Sequence, residues 1–405
     1  MSVSGLTSET DVAVPKRLSR HWSLPRPVRL PLPAAAVAVY LSIRALGLGV
    51  VAFLLRHGAY QRAHLSFGQW VIGGDGAYYR AIAAHGYDHG LIQLTRFAVF
   101  AFFPGYPAAI DSLAWLPGVG IASAGFAVTL LAGLAAAWGL ATLGSKLTGD
   151  SRISLIMVAI WAVAPGSIAL AREHAEALFC ALAVWALVAL VDRRWLTAGI
   201  LVMLAGTVRS TAMALVAAVV VAVVLALVQT ARTRPRIGAL WRPVAALLLA
   251  PLGLLGYWAY VALVTHRPDA WFWIQKQRFG LSFDWGTSTM RVIAGTFLHR
   301  ISAAELLVVL AILGGVALTA WSLTEKIPVY LHVYTIVVAV MAFTTSADWL
   351  SAKPRYLLPA VLLALPVARL LAPLRTSVLV PLIVVLTLAS TWFGLYLLVI
   401  ARLAS

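Results

Sequence analysis

The chain has 405 residues, of which 62% are hydrophobic and only 11% are charged, and this composition excludes a soluble globular protein. The formal net charge of +17 comes from basic residues scattered among apolar runs, which argues against a nucleic-acid partner and favours membrane lipids. Every backbone amide and carbonyl must be paired inside its own segment in a bilayer, so long apolar runs predict helices. We therefore expect an all-α polytopic membrane protein with about 10 to 11 transmembrane helices.

The chain begins with a basic tail, residues 1–32, and one integral membrane domain is expected over residues 33–402. The basic residues of the tail predict a cytoplasmic N-terminus in a multi-pass protein of the plasma (cell) membrane. A first span at 33–55 then places a first outer loop at 57–118 and a long outer loop at 265–302. Later spans are expected near residues 119–145, 153–171, 175–191, 195–208, 211–230, 243–264, 303–323, 328–345, 356–372 and 377–401.

Two segments interrupt this regular pattern. Residues 196–228 form one apolar run of 33 residues, and a single helix of that size would be about 50 Å long, against a hydrocarbon core of about 30 Å. Arg209 therefore predicts a division into two short helices, with its own side chain in a cavity below the outer surface. Residues 97–116 are broken by prolines and a glycine, which predicts a re-entrant or interfacial piece.

The first outer loop contains one carboxylate, Asp75, between two glycines. Tyr78, Tyr79 and Ile82 follow at spacings of three and four residues, so we expect a short amphipathic helix with Asp75 at its N-terminal edge. A helix cap is the structural alternative for an Asp in this position. Other polar residues on the outer side have to decide between the structural and the catalytic interpretation.

Three of these residues, Glu173, His174 and Glu176, lie close together in the chain. Carboxylate and imidazole groups bind divalent metals, so a divalent metal is one interpretation, and solvated charges at a membrane edge are the other. We assign no metal ligand and no certain cofactor.

A second group of outer residues is basic and consists of Arg209, Lys353 and Arg355. Guanidinium and ammonium groups are natural partners of phosphate oxygens, and Pro354 places two of these residues at a helix start. Snorkelling of a long side chain from a helix end is the structural alternative. The functional interpretation is a substrate that carries a phosphate.

Five elements of the sequence, in chain order, resemble those of the PIG-V family, which comprises the second mannosyltransferase of glycosylphosphatidylinositol synthesis and its bacterial relatives. They are DGAYYRAIAAHGY with FFPGYP, AREHAEALF, GTVRSTA, IQKQRFG and KPRYLLP. Gly74, Val208 and Phe279 stand where the family usually has Trp, Thr and Trp. Either Glu173 or Glu176 corresponds to the acidic residue of the second element.

The resemblance implies a GT-C-type membrane fold and an inverting hexosyltransferase that moves mannose from a polyprenyl-phosphate donor. The acceptor implied is a hydroxyl of a lipid-linked glycan, of the phosphatidylinositol mannoside or lipoglycan type, on the extracytoplasmic side. Asp75 becomes the catalytic base. The substrate-binding residues implied are Tyr78, Tyr79, Glu173, Glu176, Arg209, Gln277, Lys353, Arg355 and Tyr356. Two alternatives stay open: the same fold with another lipid-linked sugar or a protein acceptor, and a membrane transporter or flippase.

Overall fold

The computed structural model describes residues 30–57, 65–87, 97–232, 240–298, 303–346 and 352–397. Most of the predicted cytoplasmic tail, residues 1–29, lies outside them. Within the described ranges six helices are long and apolar enough to cross a membrane and five apolar helices are shorter. This confirms the expected all-α polytopic membrane protein. The α-helices are α1 Leu32–Arg56, α2 Phe67–Ile72, α3 Asp75–His85, α4 Gly105–Ala114, α5 Ile121–Thr148, α6 Ser151–Ala162, α7 Glu176–Val191, α8 Trp195–Gly206, α9 Ala212–Arg232, α10 Trp241–Leu249, α11 Leu252–Thr265, α12 Ala270–Phe279, α13 Thr287–Leu298, α14 Ala303–Ser322, α15 Val329–Thr344, α16 Lys353–Tyr356, α17 Ala364–Leu371 and α18 Thr376–Leu395.

The loops expected on the inner side meet at one end of the bundle. Charged side chains connect the junction of α5 and α6 to the loop after α7 and to the loop after α17. Another connects α17 to the loop between α14 and α15. The contacts are Lys146 Nζ to Asp192 Oδ1 at 2.6 Å, Arg152 Nε to the Ala372 carbonyl at 2.9 Å, and Arg369 Nε to Glu325 Oε2 at 2.8 Å. Which end faces the cytoplasm stays a prediction from the basic tail.

Both interruptions of the helical pattern, at residues 196–228 and 97–116, are present in the structure. The run 196–228 is divided as predicted, since α8 ends at Gly206, α9 begins at Ala212, and Arg209 lies in the turn between them. The FFPGYP piece packs into the bundle through α4, and the Gly105 N–H donates to the carbonyl of Thr207 at 2.7 Å. One break in the chain therefore supplies the hydrogen-bond partner for another.

The span expected at residues 153–171 is shorter than predicted. Helix α6 ends at Ala162, and the chain continues through a turn into a 3₁₀ segment, Ser167–Ala171. The physical reason is Pro165, which lacks an N–H, followed by Gly166 at φ +83°, which is a left-handed conformation that a helix cannot continue.

A buried arginine pairs the carbonyls that this break exposes. The guanidinium of Arg44, on α1, donates to the carbonyls of Ala162 and Ser167, the latter at 2.7 Å. Non-helical backbone at membrane depth requires such partners, because lipid offers none. Arg44 therefore secures the irregular segment that leads into α7.

Helices α8 and α11 cross at two glycines, which allow their backbones to approach closely. A Cβ at Gly253 would lie 1.8 Å from the Met203 carbonyl oxygen, and a Cβ at Gly206 would lie 2.7 Å from the Leu254 nitrogen. Small residues at crossing points are typical of membrane helices, because close approach increases van der Waals contact. The crossing helps to fix the end of α8, and with it the position of Arg209.

We expect Gly253→Ala to lower the melting temperature of the purified protein, because the added methyl group would separate the two backbones at a cost of about 1–3 kcal/mol. Gly256→Ala is the matched control, since a Cβ there meets no atom within 4 Å. That control should keep or slightly raise the melting temperature, because alanine is the better helix former. Equal melting temperatures for both variants would contradict a tight α8–α11 crossing.

Candidate functional site

The site lies where four interruptions of the helical bundle meet, at the end opposite the loops described above. The N-terminus of α3 contributes Asp75, and the start of α7 contributes Glu176. The turn between α8 and α9 contributes Arg209, and the short helix α16 contributes Arg355. Residues far apart in the chain thus form one charged cluster.

Asp75 is the first residue of α3, and its carboxylate is directed to other segments. The N-cap position belongs to Gly74, whose φ of +67° suits glycine, so the side chain of Asp75 is not the cap. Asp75 Oδ2 lies 3.0 Å from Arg355 Nη2 and 3.8 Å from His174 Nε2. The side chain of Asp75 is 32% exposed, which leaves it accessible to a substrate.

Glu176 holds two arginines together under Asp75. Its buried carboxylate oxygen Oε1 lies 2.7 Å from Arg209 Nη1 and 3.6 Å from Arg355 Nε. These contacts are ion pairs, and neither Glu176 oxygen has a hydrogen-bond partner among the described residues. The Nε of Arg355 also has no hydrogen-bond partner among the described residues. These groups retain unused hydrogen-bonding capacity inside the site.

The electrostatics of the cluster favour an ionised Asp75 and a bound anion. Burial would raise the pKa of Asp75, but the positive charges around it, Arg355 foremost, lower that pKa well below its usual range. Burial lowers the pKa of His174 to about 4, which leaves the imidazole neutral at pH 7. Arg172, just before His174 in the chain, adds a third guanidinium whose charge acts on Asp75 and Glu176, so three positive charges face two negative ones and leave an excess of one. A monoanion would neutralise this excess.

A separate ion pair fixes the helix that carries Asp75. Arg80, on the same helix, pairs with the carboxylate of Glu173 and donates to the Ile72 carbonyl at 2.8 Å. The Glu173 N–H donates to the Val71 carbonyl at 3.1 Å. Gly76 lies directly against Glu173, because a Cβ there would come within 2.9 Å of the Glu173 side chain. Of the two acids that the sequence left open, Glu173 therefore holds α3, and Glu176 contacts the arginines of the site.

We expect Arg80→Ala to lower the melting temperature strongly, since it leaves the buried Glu173 carboxylate without its cation, a loss of about 3–5 kcal/mol. Arg267→Ala is the matched control, because Arg267 pairs with Asp269 at 2.6 Å in an exposed position. The control should melt like the wild type. If both variants melt alike, the Arg80–Glu173 pair does not fix α3.

Two residues that the sequence grouped with the substrate site take no part in the ion pairs of the cluster. The ammonium of Lys353 donates to the carbonyls of Ala342, at 3.3 Å, and Thr345, at the end of α15. Burial lowers its pKa to about 8. Lys353 thus completes a helix end, which corrects its expected place beside Arg355. Gln277, whose amide is uncharged, is exposed on α12.

The three predicted tyrosines surround the cluster on its apolar side. Tyr78 stacks on Phe102 with ring centres 4.6 Å apart, and Tyr79 packs edge-on against the same ring at 5.1 Å. Tyr79 is buried, so it supports the site from below, whereas Tyr78 is partly exposed. The ring of Tyr356 lies 5.6 Å from the guanidinium carbon of Arg355. Tyr78 and Tyr356 are therefore the tyrosines that a substrate can reach.

An apolar groove lies elsewhere in the bundle. It has a volume of about 560 Å³ and lies between α4, α5, α7 and α8. Its α7 lining, Leu178, Ala181, Leu182 and Trp185, is on the face opposite Glu176, because residues rotate by about 100° per position in a helix. The groove is therefore separate from the candidate site.

The described residues include no group of three or more His, Cys, Asp or Glu side chains placed to hold a metal ion. His174 approaches Asp75, but Glu173 turns away to Arg80 and Glu176 faces arginines. The donor set favours an anion next to a single carboxylate that can accept a proton.

No protein-family model matches the chain, and no curated protein matches it. Among solved structures, it is similar to the crystal structure of ArnT from Cupriavidus metallidurans bound to undecaprenyl phosphate, with 16% sequence identity and a TM-score of 0.49. The matched region covers 83% of this chain and 59% of ArnT, so the chain spans less than two thirds of that protein. A likeness at this level assigns no role to individual residues.

Proposed function

We propose that the protein is an inverting membrane glycosyltransferase of the GT-C type that uses a polyprenyl-phosphate sugar as donor. The supporting observation is the convergence of four sequence elements that resemble the PIG-V family. Their charged residues, Asp75, Glu176, Arg209 and Arg355, lie within one network of ion pairs. Packing alone gives no reason for charges from four separate segments to meet in an apolar bundle, whereas binding a phosphate beside a base does.

The chemistry needs only one carboxylate. A bond forms between the acceptor oxygen and the anomeric carbon of the sugar, while the bond from that carbon to the phosphate oxygen breaks. The acceptor proton passes to Asp75, and the electron pair of the broken bond leaves with the phosphate. Because the polyprenyl phosphate is a stable anion, no general acid is required, unlike in glycoside hydrolysis. Attack opposite the leaving group inverts the anomeric centre.

Arg355 and Arg209 bind and stabilise the phosphate in this proposal. The departing phosphate gains negative charge, and two guanidinium groups fixed beside it stabilise that charge more in the transition state than in the bound donor. Glu176 keeps both guanidinium groups at the site. Tyr78 and Tyr356 are placed to contact the sugar or the acceptor.

The finer assignments follow from the sequence resemblance. They are mannose as the sugar, a lipid-linked glycan as the acceptor, and an orientation in the plasma membrane in which the end of the bundle that carries Asp75 faces outward. To test them, we would supply the protein in nanodiscs with labelled polyprenyl-phosphate mannose and a lipid acceptor fraction, and follow label into lipid. Donors with other sugars, supplied in parallel, decide the sugar. Movement of label across a vesicle membrane without a covalent change would instead indicate a transporter.

We expect Asp75→Asn to reduce the initial rate of sugar transfer by at least about 100-fold, because the amide cannot accept the proton of the acceptor. Asp111→Asn is the control, since Asp111 is an exposed carboxylate on α4. Both variants should be produced at wild-type levels. Transfer by Asp75→Asn near the wild-type rate would remove Asp75 from the role of base.

Arg355→Ala should raise the KM for the donor on the order of 10-fold and also lower kcat, because a charge-assisted hydrogen bond to the phosphate is lost from both the bound donor and the transition state. The control is Arg291→Ala, which removes an exposed basic residue on α13. Initial rates at varied donor concentration measure this. An unchanged donor KM in Arg355→Ala would indicate that Arg355 does not bind the phosphate.

A further inference from the structure

Arg355 is the residue on which the base and the phosphate site both depend. Its Nη2 contacts Asp75 at 3.0 Å, so the carboxylate that has to accept a proton is paired with a permanent cation. Such a pair weakens a base, since the cation stabilises the ionised carboxylate. The same guanidinium is the nearest partner for a phosphate that approaches Asp75. The two requirements conflict as long as Arg355 stays on Asp75.

The surroundings of Arg355 offer a second position for its guanidinium. Its Nε lies 3.6 Å from Glu176 Oε1, and neither this nitrogen nor the Glu176 oxygens have a hydrogen-bond partner among the described residues. The Arg355 side chain is 25% exposed, and it extends from a helix of four residues. A small movement from Asp75 toward Glu176 would keep Arg355 paired with a carboxylate throughout.

The charge balance favours this movement when an anion enters. With Arg172 counted, one positive charge is in excess, and the site accepts a phosphodiester monoanion without leaving any charge uncompensated. A phosphate oxygen in hydrogen-bond contact with Arg355 also repels the carboxylate of Asp75. Attraction of the guanidinium to the phosphate and repulsion of the carboxylate by the phosphate both lengthen the contact between Arg355 and Asp75.

We propose that Asp75 and the donor phosphate compete for Arg355, so that binding of the donor moves the guanidinium toward Glu176 and releases Asp75 to act as the base. This inference rests on the proposed function. Donor binding then comes before proton transfer, and an acceptor alone meets a masked carboxylate. After transfer Asp75 is protonated and no longer attracts Arg355, which stays with the more highly charged phosphate product.

The test is a double-mutant cycle on binding, which needs no turnover. A polyprenyl monophosphate is titrated into nanodiscs that contain the wild type, Asp75→Asn, Arg355→Gln or the double variant, and Kd is measured by calorimetry. Competition predicts that Asp75→Asn binds on the order of 10-fold more tightly than the wild type, and that Arg355→Gln binds more weakly. In the Arg355→Gln background the Asp75→Asn change should give no gain.

Simple repulsion between Asp75 and phosphate predicts a different pattern. The gain from Asp75→Asn would then be equal in both backgrounds, and that result overturns the competition while leaving the proposed function intact. An unchanged Kd in Asp75→Asn overturns it as well. A wild type that does not bind the polyprenyl monophosphate contradicts the proposed donor, and the inference fails with it. Arg355→Lys, which keeps the charge, should retain part of the gain and guards against misfolding of Arg355→Gln.

Discussion

A break in a membrane helix leaves backbone groups without partners, and the pairing of those groups determines where this protein can place charge. The break after α6 is paired by Arg44, and the break between α8 and α9 is paired by the N–H of Gly105. The carbonyls around α16 accept from Trp161 Nε1, at 3.1 Å to Leu358, and from the Tyr334 hydroxyl. Each broken segment is thus held by side chains or backbone from another. The charged cluster occupies the space that these breaks enclose.

Buried ion pairs are weak contributors to stability, because the loss of hydration offsets most of their attraction. Their value here is positional. Arg80 and Glu173 orient the helix that carries Asp75, while Glu176 holds Arg209 and Arg355 against each other despite their like charges. The Arg80–Glu173 pair is neutral in itself, whereas Glu176 with its two arginines carries one net positive charge. The protein therefore separates the charges that set geometry from those that face a substrate.

The sequence predicts the long elements well, because a continuous apolar run of membrane length has few alternatives, and Arg209 marked the division of α8 from α9. It did not predict the early end of α6, since Pro165 and Gly166 lay inside an otherwise apolar run. Lys353 was grouped with Arg355 because they are two residues apart. On a helical turn that spacing directs side chains in nearly opposite directions, and Lys353 reaches α15. Nothing in the sequence indicated that Arg80 pairs with Glu173, because the two residues are distant in the chain.

The two carboxylates of the cluster differ in exposure, and this difference separates their chemistry. Glu176 is fully buried between two guanidinium groups, where protonation would leave those cations uncompensated, so it is suited to remain an anion throughout a reaction cycle. Asp75 is one-third exposed at a helix start and meets only one of those guanidinium groups in a direct contact. Its proton affinity can therefore change as Arg355 moves, while the charge of Glu176 stays fixed. A single mobile arginine between a permanent and a variable carboxylate is enough to link anion binding to proton transfer.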